Sequence, residues 1–218
     1  MFSPGEVSVQ KFGGSSLANP ERIFRIAERI AEQVRSGRRT AIVVSATGDS
    51  TDELISLMQA ISSDPDPREL DQLMATGEMV SGSLMTGALK KLGILSQSFN
   101  AFNLGIVSSE KFGSAEIFEF SHLPRLARLL NSGGVPVICG FQGITPDGDL
   151  TTLGRGGSDI TAVALARDLG QKVCEKFTDE DGIYSGDPRF IPSARKIWHL
   201  NYDEMETLAN FGNGILHP

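Results

Sequence analysis

Four short segments carry residue types able to hold or transfer an anionic group. Lys11-Phe12-Gly13-Gly14-Ser15-Ser16 sets a compact positive charge beside paired glycines, and glycine lets backbone N–H groups come close to an anion. The pattern G-x-x-x-x-G-K-[ST] is absent, so this is no Walker loop. The same residues would also suit a tight strand-to-helix turn. Ser45-Ala46-Thr47-Gly48-Asp49-Ser50-Thr51 offers small hydroxyl donors ahead of a helix, a place where phosphate or carboxylate can bind. Taken alone, helix capping would account for it. Gly154-Arg155-Gly156-Gly157-Ser158-Asp159 surrounds an arginine with glycines at a helix start. Arg155 can grip a carboxylate with two parallel hydrogen bonds, and so many glycines cost too much backbone entropy for a mere turn. Thr178-Asp179-Glu180-Asp181-Gly182-Ile183-Tyr184, continuing to Arg189, combines acids, an aromatic ring and a cation. Those suit a metal–nucleotide edge, although Asp181-Gly182 alone reads as a β-turn in a solvated acidic loop.

These segments need elements that bring them together. Val7–Phe12 alternates into the first glycine pair and reads as a strand. A helix follows, with Asn19 as cap and Pro20 at its first position. Its apolar residues Ile23, Ile26, Ala27, Ile30, Ala31 and Val34 share one face. Ala41–Ser45 is an unbroken apolar run, as in a strand buried on both sides. Further strands are expected at Leu95–Ala101, Val135–Cys139 and Lys172–Phe177. Further helices are expected at Asp52–Ile61, at Arg68–Leu92 with a break or bend near Gly77, and at Leu123–Leu130, Asp159–Leu169 and Tyr202–Phe211. Such alternation predicts an α/β fold: a three-layer α-β-α sandwich around a mostly parallel sheet, formed as one domain over residues 1–218. In open sheets of this kind ligands sit at the carboxyl ends of the strands, and each of the four segments follows a predicted strand.

Composition narrows the function classes. The 218 residues are 40% hydrophobic and 22% charged, an ordinary globular balance. A formal charge of −7 without a basic stripe argues against nucleic acid as a partner. Cys139 and Cys174 stand apart in apolar segments and read as buried, reduced core residues with no zinc-site spacing. No apolar stretch approaches the ~20 residues of a membrane span, and Met1–Gly5 has no leader-like pattern. The chain reads as cytoplasmic, with no membrane partner.

Together the segments resemble the aspartokinases, the aspartate-phosphorylating branch of the amino-acid-kinase fold. The opening Lys11–Ser16, Gly77-Glu78, Gly140-Phe141-Gln142-Gly143, Leu153–Asp159, Thr178–Arg189 and the final Leu216-His217-Pro218 stand in the order seen in that family. The resemblance covers essentially the whole chain. It implies an enzyme that uses ATP and Mg²⁺ to phosphorylate the side-chain carboxylate of L-aspartate, giving 4-phospho-L-aspartate at the head of the aspartate-derived amino-acid pathway. By resemblance, Lys11, Gly13, Gly14 and Ser45 hold the ATP phosphates, and Thr178, Asp179, Tyr184 and Arg189 line the nucleotide site. Thr51, Glu78, Phe141, Arg155 and Ser158 form the aspartate pocket. The same resemblance implies that Lys11 and Asp159 are the catalytic residues. No resident metal ligand is assigned, and Asp149, Asp159, Asp179 and Asp181 stay open as groups that approach Mg²⁺.

The resemblance also implies departures. Aspartokinases carry a lysine two positions before Leu-His-Pro that reaches the nucleotide phosphates, and this chain has Gly214 there. Losing that cation weakens ATP binding or turnover unless another residue substitutes. The family's kinase domains continue beyond the position of Pro218 through a helix and a strand to paired ACT regulatory modules, so the sheet is expected to be incomplete at its C-terminus. Self-association or pairing with a regulatory subunit is expected. Two other readings remain beside the aspartate kinase: a kinase for another small carboxylate, and a weakly active or inactive nucleotide- and amino-acid-binding subunit.

Overall fold

The computed structural model describes residues 2–179, 181–187 and 190–210. The strands are β1 (Val7–Phe12), β2 (Arg39–Val44), β3 (Ser96–Phe99), β4 (Ile106–Ser108), β5 (Ile117–Phe120), β6 (Val135–Cys139), β7 (Gln142–Ile144), β8 (Leu150–Thr152) and β9 (Cys174–Phe177). The helices are α1 (Pro20–Arg35), α2 (Ser50–Ile61), α3 (Pro67–Lys91), α4 (Ala101–Leu104), α5 (Leu123–Asn131), α6 (Gly157–Asp168) and α7 (Tyr202–Asn210). Contacts divide the chain into two compact units, Met1–Phe177 and Thr178–Pro218.

In the first unit, five strands pair in the order β3-β6-β2-β1-β9, every neighbour parallel. Alternate side chains fill two separate cores. Ile42, Val44, Val135 and Val137 pack on one face with Ile23, Ala27 and Ile30 of α1 and Met85 and Leu89 of α3. Val7, Val9, Ala41, Val43 and Ile138 pack on the other with Leu126 and Leu130 of α5 and Ala162 and Leu165 of α6. Burial on both sides is why these strands read as continuous apolar runs. Helix–sheet–helix layering and the mostly parallel sheet follow as expected. The Asn19 side chain accepts from the Arg22 N–H at 2.9 Å, capping α1 as its sequence indicated.

Three features depart from the sequence reading. First, α3 runs unbroken through Gly77. A Cβ at Gly77 would sit 2.8 Å from the Ala46 Cβ, so this glycine permits close packing and the helix does not break there. Second, a smaller mixed sheet, β5-β4-β7-β8, accompanies the main one. Its strands are 3 or 4 residues long, too short to show a period of two. Third, Cys139 is buried but Cys174, at the sheet's margin, is only partly so; both are free thiols.

The second unit contains α7 and an isolated antiparallel bridge between Tyr184 and Lys196. Asn201 and Glu204 each accept the other's backbone N–H at 2.9 Å, a reciprocal cap on α7. Gly214 and the Leu216-His217-Pro218 ending lie outside the described residues, as does Phe211 of the expected last helix.

Asp71, in the first turns of α3, fastens the small sheet to that helix. Its Oδ2 accepts from the N–H groups of Gly113 (2.8 Å) and Thr152 (2.7 Å), and its Oδ1 from the Thr152 hydroxyl (2.9 Å). Burial pushes its carboxyl above the usual range, opposed by those donors. Removing it strands three donors near the interior. Asp71→Ala is expected to cost about 3 kcal/mol in urea denaturation, with Asp71→Asn milder; a loss below about 1 kcal/mol in the alanine variant would contradict this fastening role.

Candidate active site

Parallel strands end together, so β1, β2 and β6 deliver Lys11, Ser45 and Phe141 to one edge of the main sheet. A cleft of about 540 Å³ opens there, within the first unit. Eight residues predicted for phosphate or substrate binding line it: Lys11, Gly14, Ser45, Thr51, Glu78, Phe141, Arg155 and Ser158. Lys11 and Arg155, more than 140 positions apart in the chain, therefore share one cavity. Gly13 and Asp159 lie beside the cleft, outside its lining.

Steric demands explain the glycines. A Cβ on Gly14 would stand 2.8 Å from the Ala46 carbonyl and 2.9 Å from that of Gly48. The first two loops therefore touch backbone to backbone, and Gly48 N–H donates to the Gly14 carbonyl at 3.0 Å. The Gly13 N–H donates to the Phe177 carbonyl at 3.3 Å, spending one of the expected anion donors on the end of the sheet. In the third loop Gly154 and Gly156 both adopt φ 74°, a conformation costly for any side chain. A Cβ on Gly157 would meet Phe141 Cδ2 at 2.8 Å. These glycines let the chain reverse beneath Phe141 and set the exposed Arg155 on the cleft wall. Phe141 itself has φ 69°, the only described non-glycine residue with positive φ. Thr161 Oγ1 accepts its N–H at 3.1 Å and its carbonyl accepts from Leu153 N–H at 2.9 Å. Local strain held by surrounding bonds is common at ligand sites.

The hydroxyl-rich second loop does not cap α2 through the side chain at its cap position. Asp49 makes no such bond, and Ser50 Oγ is buried without a hydrogen-bond partner. The first-turn N–H groups of Gly157 and Asp159 are taken by the carbonyls of Gly154 (3.0 Å) and Gly156 (2.8 Å), so two expected anion donors at α6 are occupied.

The charged groups are unequally buried. Lys11 is 7% exposed; burial lowers its pKa, opposed by Asp159, whose Oδ1 lies 2.8 Å from Nζ. Glu78 is 3% exposed, and burial raises its carboxyl from 4.5 to about 8 against the pull of the Ala46 N–H and of Lys11. Its Oε1 accepts that N–H at 2.9 Å, while Oε2 is buried with no partner. Once ionised, such a buried oxygen demands a donor. A ligand ammonium would supply one.

Lys176 escaped the sequence reading: its Nζ donates to Asp159 Oδ2 at 2.8 Å. The available signal was its place in the expected strand Lys172–Phe177, next to the Thr178–Arg189 segment. Asp71 also escaped, because nothing in its local pattern distinguishes it from a solvated helix acid.

The remaining expected nucleotide residues belong to the second unit or lie outside the description. Thr178 and Asp179 adjoin each other, and the Tyr184 hydroxyl donates to Asp181 Oδ2 at 2.6 Å, with Lys196 paired to the same aspartate. Arg189 and Glu180 are outside the described residues. Asp149 pairs with Arg68 at 2.6 Å. Among the described residues no three His, Cys, Asp or Glu side chains gather to hold a metal ion, and no helix is long and apolar enough to cross a membrane.

A helix–sheet–helix fold that gathers a lysine, an arginine and a buried, partnerless carboxyl oxygen in one cleft at the carboxyl ends of parallel strands has the layout of the doubly covered α/β class. The sequence pattern of the amino acid kinase family matches residues 6–218, and the chain belongs to that family. It is 45% identical over 212 residues to an aspartokinase of Geobacillus stearothermophilus, covering 97% of this chain and 52% of that protein. The chain thus spans about half the length of the curated relatives it matches. Two solved structures are similar. Aspartate kinase from Synechocystis superposes with a TM-score of 0.80 at 40% identity, covering 98% of this chain and 35% of that one. E. coli aspartokinase III in complex with aspartate and ADP superposes with a TM-score of 0.84 at 29% identity, covering 98% and 58%.

The carboxyl of Glu78 gives a sign-definite pH test. With a folded value near 8 and an ordinary value of 4.5, the unfolded chain releases this proton first, so rising pH favours unfolding between those limits. The stability advantage of Glu78→Gln over the wild type is therefore expected to grow from pH 5 to pH 8 and then level off. Urea denaturation across that range measures it, and parallel curves would mean that Glu78 stays ionised throughout.

Proposed function

We propose that this cleft transfers the γ-phosphoryl group of ATP to the side-chain carboxylate of L-aspartate, releasing ADP and 4-phospho-L-aspartate. The observation that carries the reading is the meeting of Lys11, Arg155 and the unsatisfied Glu78 oxygen in one cavity. Arg155 with the Ser158 hydroxyl suits an α-carboxylate, and Glu78 an α-ammonium. Binding that cation draws Glu78 toward its ionised form. With both ends of the amino acid held, the side-chain carboxylate points toward Lys11. The aspartate complex of the E. coli relative supports the same substrate.

Little proton chemistry is required. A side-chain carboxylate is already ionised at neutral pH, so the nucleophile needs no base. Rate enhancement then rests on in-line placement and on neutralising charge spread over the transferred group. Lys11 contributes that charge from a partly dehydrated position, where it acts more strongly than in water. Asp159 is bound by lysines and Asp149 by Arg68, and among the described residues no group of acids forms a ready-made metal cage. Magnesium enters as the MgATP substrate, held chiefly by phosphate oxygens.

Trapping with hydroxylamine tests the reading: MgATP, aspartate and folded protein should yield aspartyl hydroxamate, well above an Arg155→Ala control. Equal yields would remove the assignment. Lys11→Ala is expected to lower kcat by about 10²–10³ with a smaller effect on the aspartate KM. Arg155→Lys should raise that KM about tenfold, since a point charge cannot reproduce a planar fork. An unchanged KM would move the α-carboxylate elsewhere.

A further inference from the structure

Strand register places Lys176 of β9 directly beside Lys11 of β1, in the pairing Val9–Cys174, Gln10–Glu175, Lys11–Lys176. Registered residues on adjacent strands project to the same side of a sheet, and like charges there repel. Asp159, in the first turn of α6, lies over this pair. Its Oδ2 accepts a hydrogen bond from Lys176 Nζ at 2.8 Å, and its Oδ1 lies 2.8 Å from Lys11 Nζ. The two contacts are equally short, and each lysine has one carboxylate oxygen: Oδ1 is buried and faces Lys11, and Oδ2 is held by Lys176. Asp159 is thus oriented by Lys176, and one oxygen alone is left for the three N–H donors of Lys11. Exposure rises outward through the group, the side chains of Lys11, Asp159 and Lys176 being 9%, 18% and 25% accessible.

We propose that Lys176 is a positioning residue of the phosphoryl-transfer site: it holds Asp159 by Oδ2 so that Lys11 is aligned by that carboxylate without being neutralised by it. The inference rests on the proposed kinase reading and extends it to a residue outside the cleft lining. One carboxylate divided between two ammonium groups leaves an excess of positive charge among the three. If Lys176 is removed, Asp159 is free to turn fully onto Lys11. Lys11 then faces the phosphates as half of a closed ion pair, with weaker attraction for a polyanion. The amino-acid end of the cleft, built on Arg155, Ser158 and Glu78, does not share this carboxylate.

The test compares Lys176→Met and Lys176→Arg with the wild-type chain. The magnesium complex of a non-hydrolysable ATP analogue and L-aspartate are titrated separately by calorimetry, with the thermal midpoint recorded for each protein. Lys176→Gln replaces the methionine variant if that one folds poorly. The analogue should bind about tenfold more weakly to Lys176→Met, with aspartate affinity unchanged within about twofold and most of the loss recovered in Lys176→Arg. In turnover, kcat should fall while the aspartate KM stays constant. Unchanged analogue affinity in folded Lys176→Met would overturn the proposal. So would an equal loss for analogue and aspartate together with a lowered thermal midpoint, the mark of a purely structural lysine. A failure of the aspartate-kinase reading looks different: the wild type would make no hydroxamate, while analogue binding still depended on residue 176.

Discussion

An ammonium group buried at the end of a sheet strand is the constraint from which the site follows. Removing Lys11 from water costs several kcal/mol unless a partner charge compensates, and the neighbouring strand adds a like charge, Lys176, beside it. Asp159 is the compensation. It can reach Lys11 only if α6 begins directly over β1, which requires the Gly154–Gly157 reversal beneath Phe141. One electrostatic need therefore fixes where a helix starts, which loop precedes it, and where Arg155 emerges.

The cleft is assembled by close approach more than by side-chain packing. Gly14 lies against the Ala46 and Gly48 backbone, Gly77 against Ala46, Gly140 against Ser158, and Gly157 against Phe141. At each point a single added carbon would need space that is already filled. The loops after β1, β2 and β6 are thereby locked to one another and to α3 and α6. Glu78 and Lys11 are held at fixed positions in a partly dehydrated cavity, with opposing effects: burial raises the carboxyl of one and lowers the pKa of the other. Such poised groups are characteristic of sites that bind charged small molecules.

Much of this was legible in the residues. Apolar runs buried on two faces, one amphipathic helix with its Asn19 cap, and glycine-rich loops after strands were enough to expect the layered parallel sheet and its ligand edge. Eight of the expected phosphate and substrate residues line the cleft because each sits within a few positions of a strand end or on a helix beside it. The small mixed sheet was not legible, since strands of three or four residues carry no periodicity. The absence of a break at Gly77 was not legible either, because a glycine inside a helix looks the same whether it breaks the backbone or admits a neighbour.

What the sequence determined by itself was local: the periods that make strands and helices, the glycines that allow reversed backbone, and the kinds of charge available at each loop. Partnerships were decided only by the tertiary structure. That Asp159 answers to Lys11 and Lys176, that Asp71 ties three donors from Gly113 and Thr152, and that Glu78 keeps one oxygen unpaired all depend on groups from 17 to well over 100 residues apart. Hydrogen bonds and charge pairs act over a few ångströms in space, and chain separation carries no record of that distance until parallel strands bring their ends to a common edge.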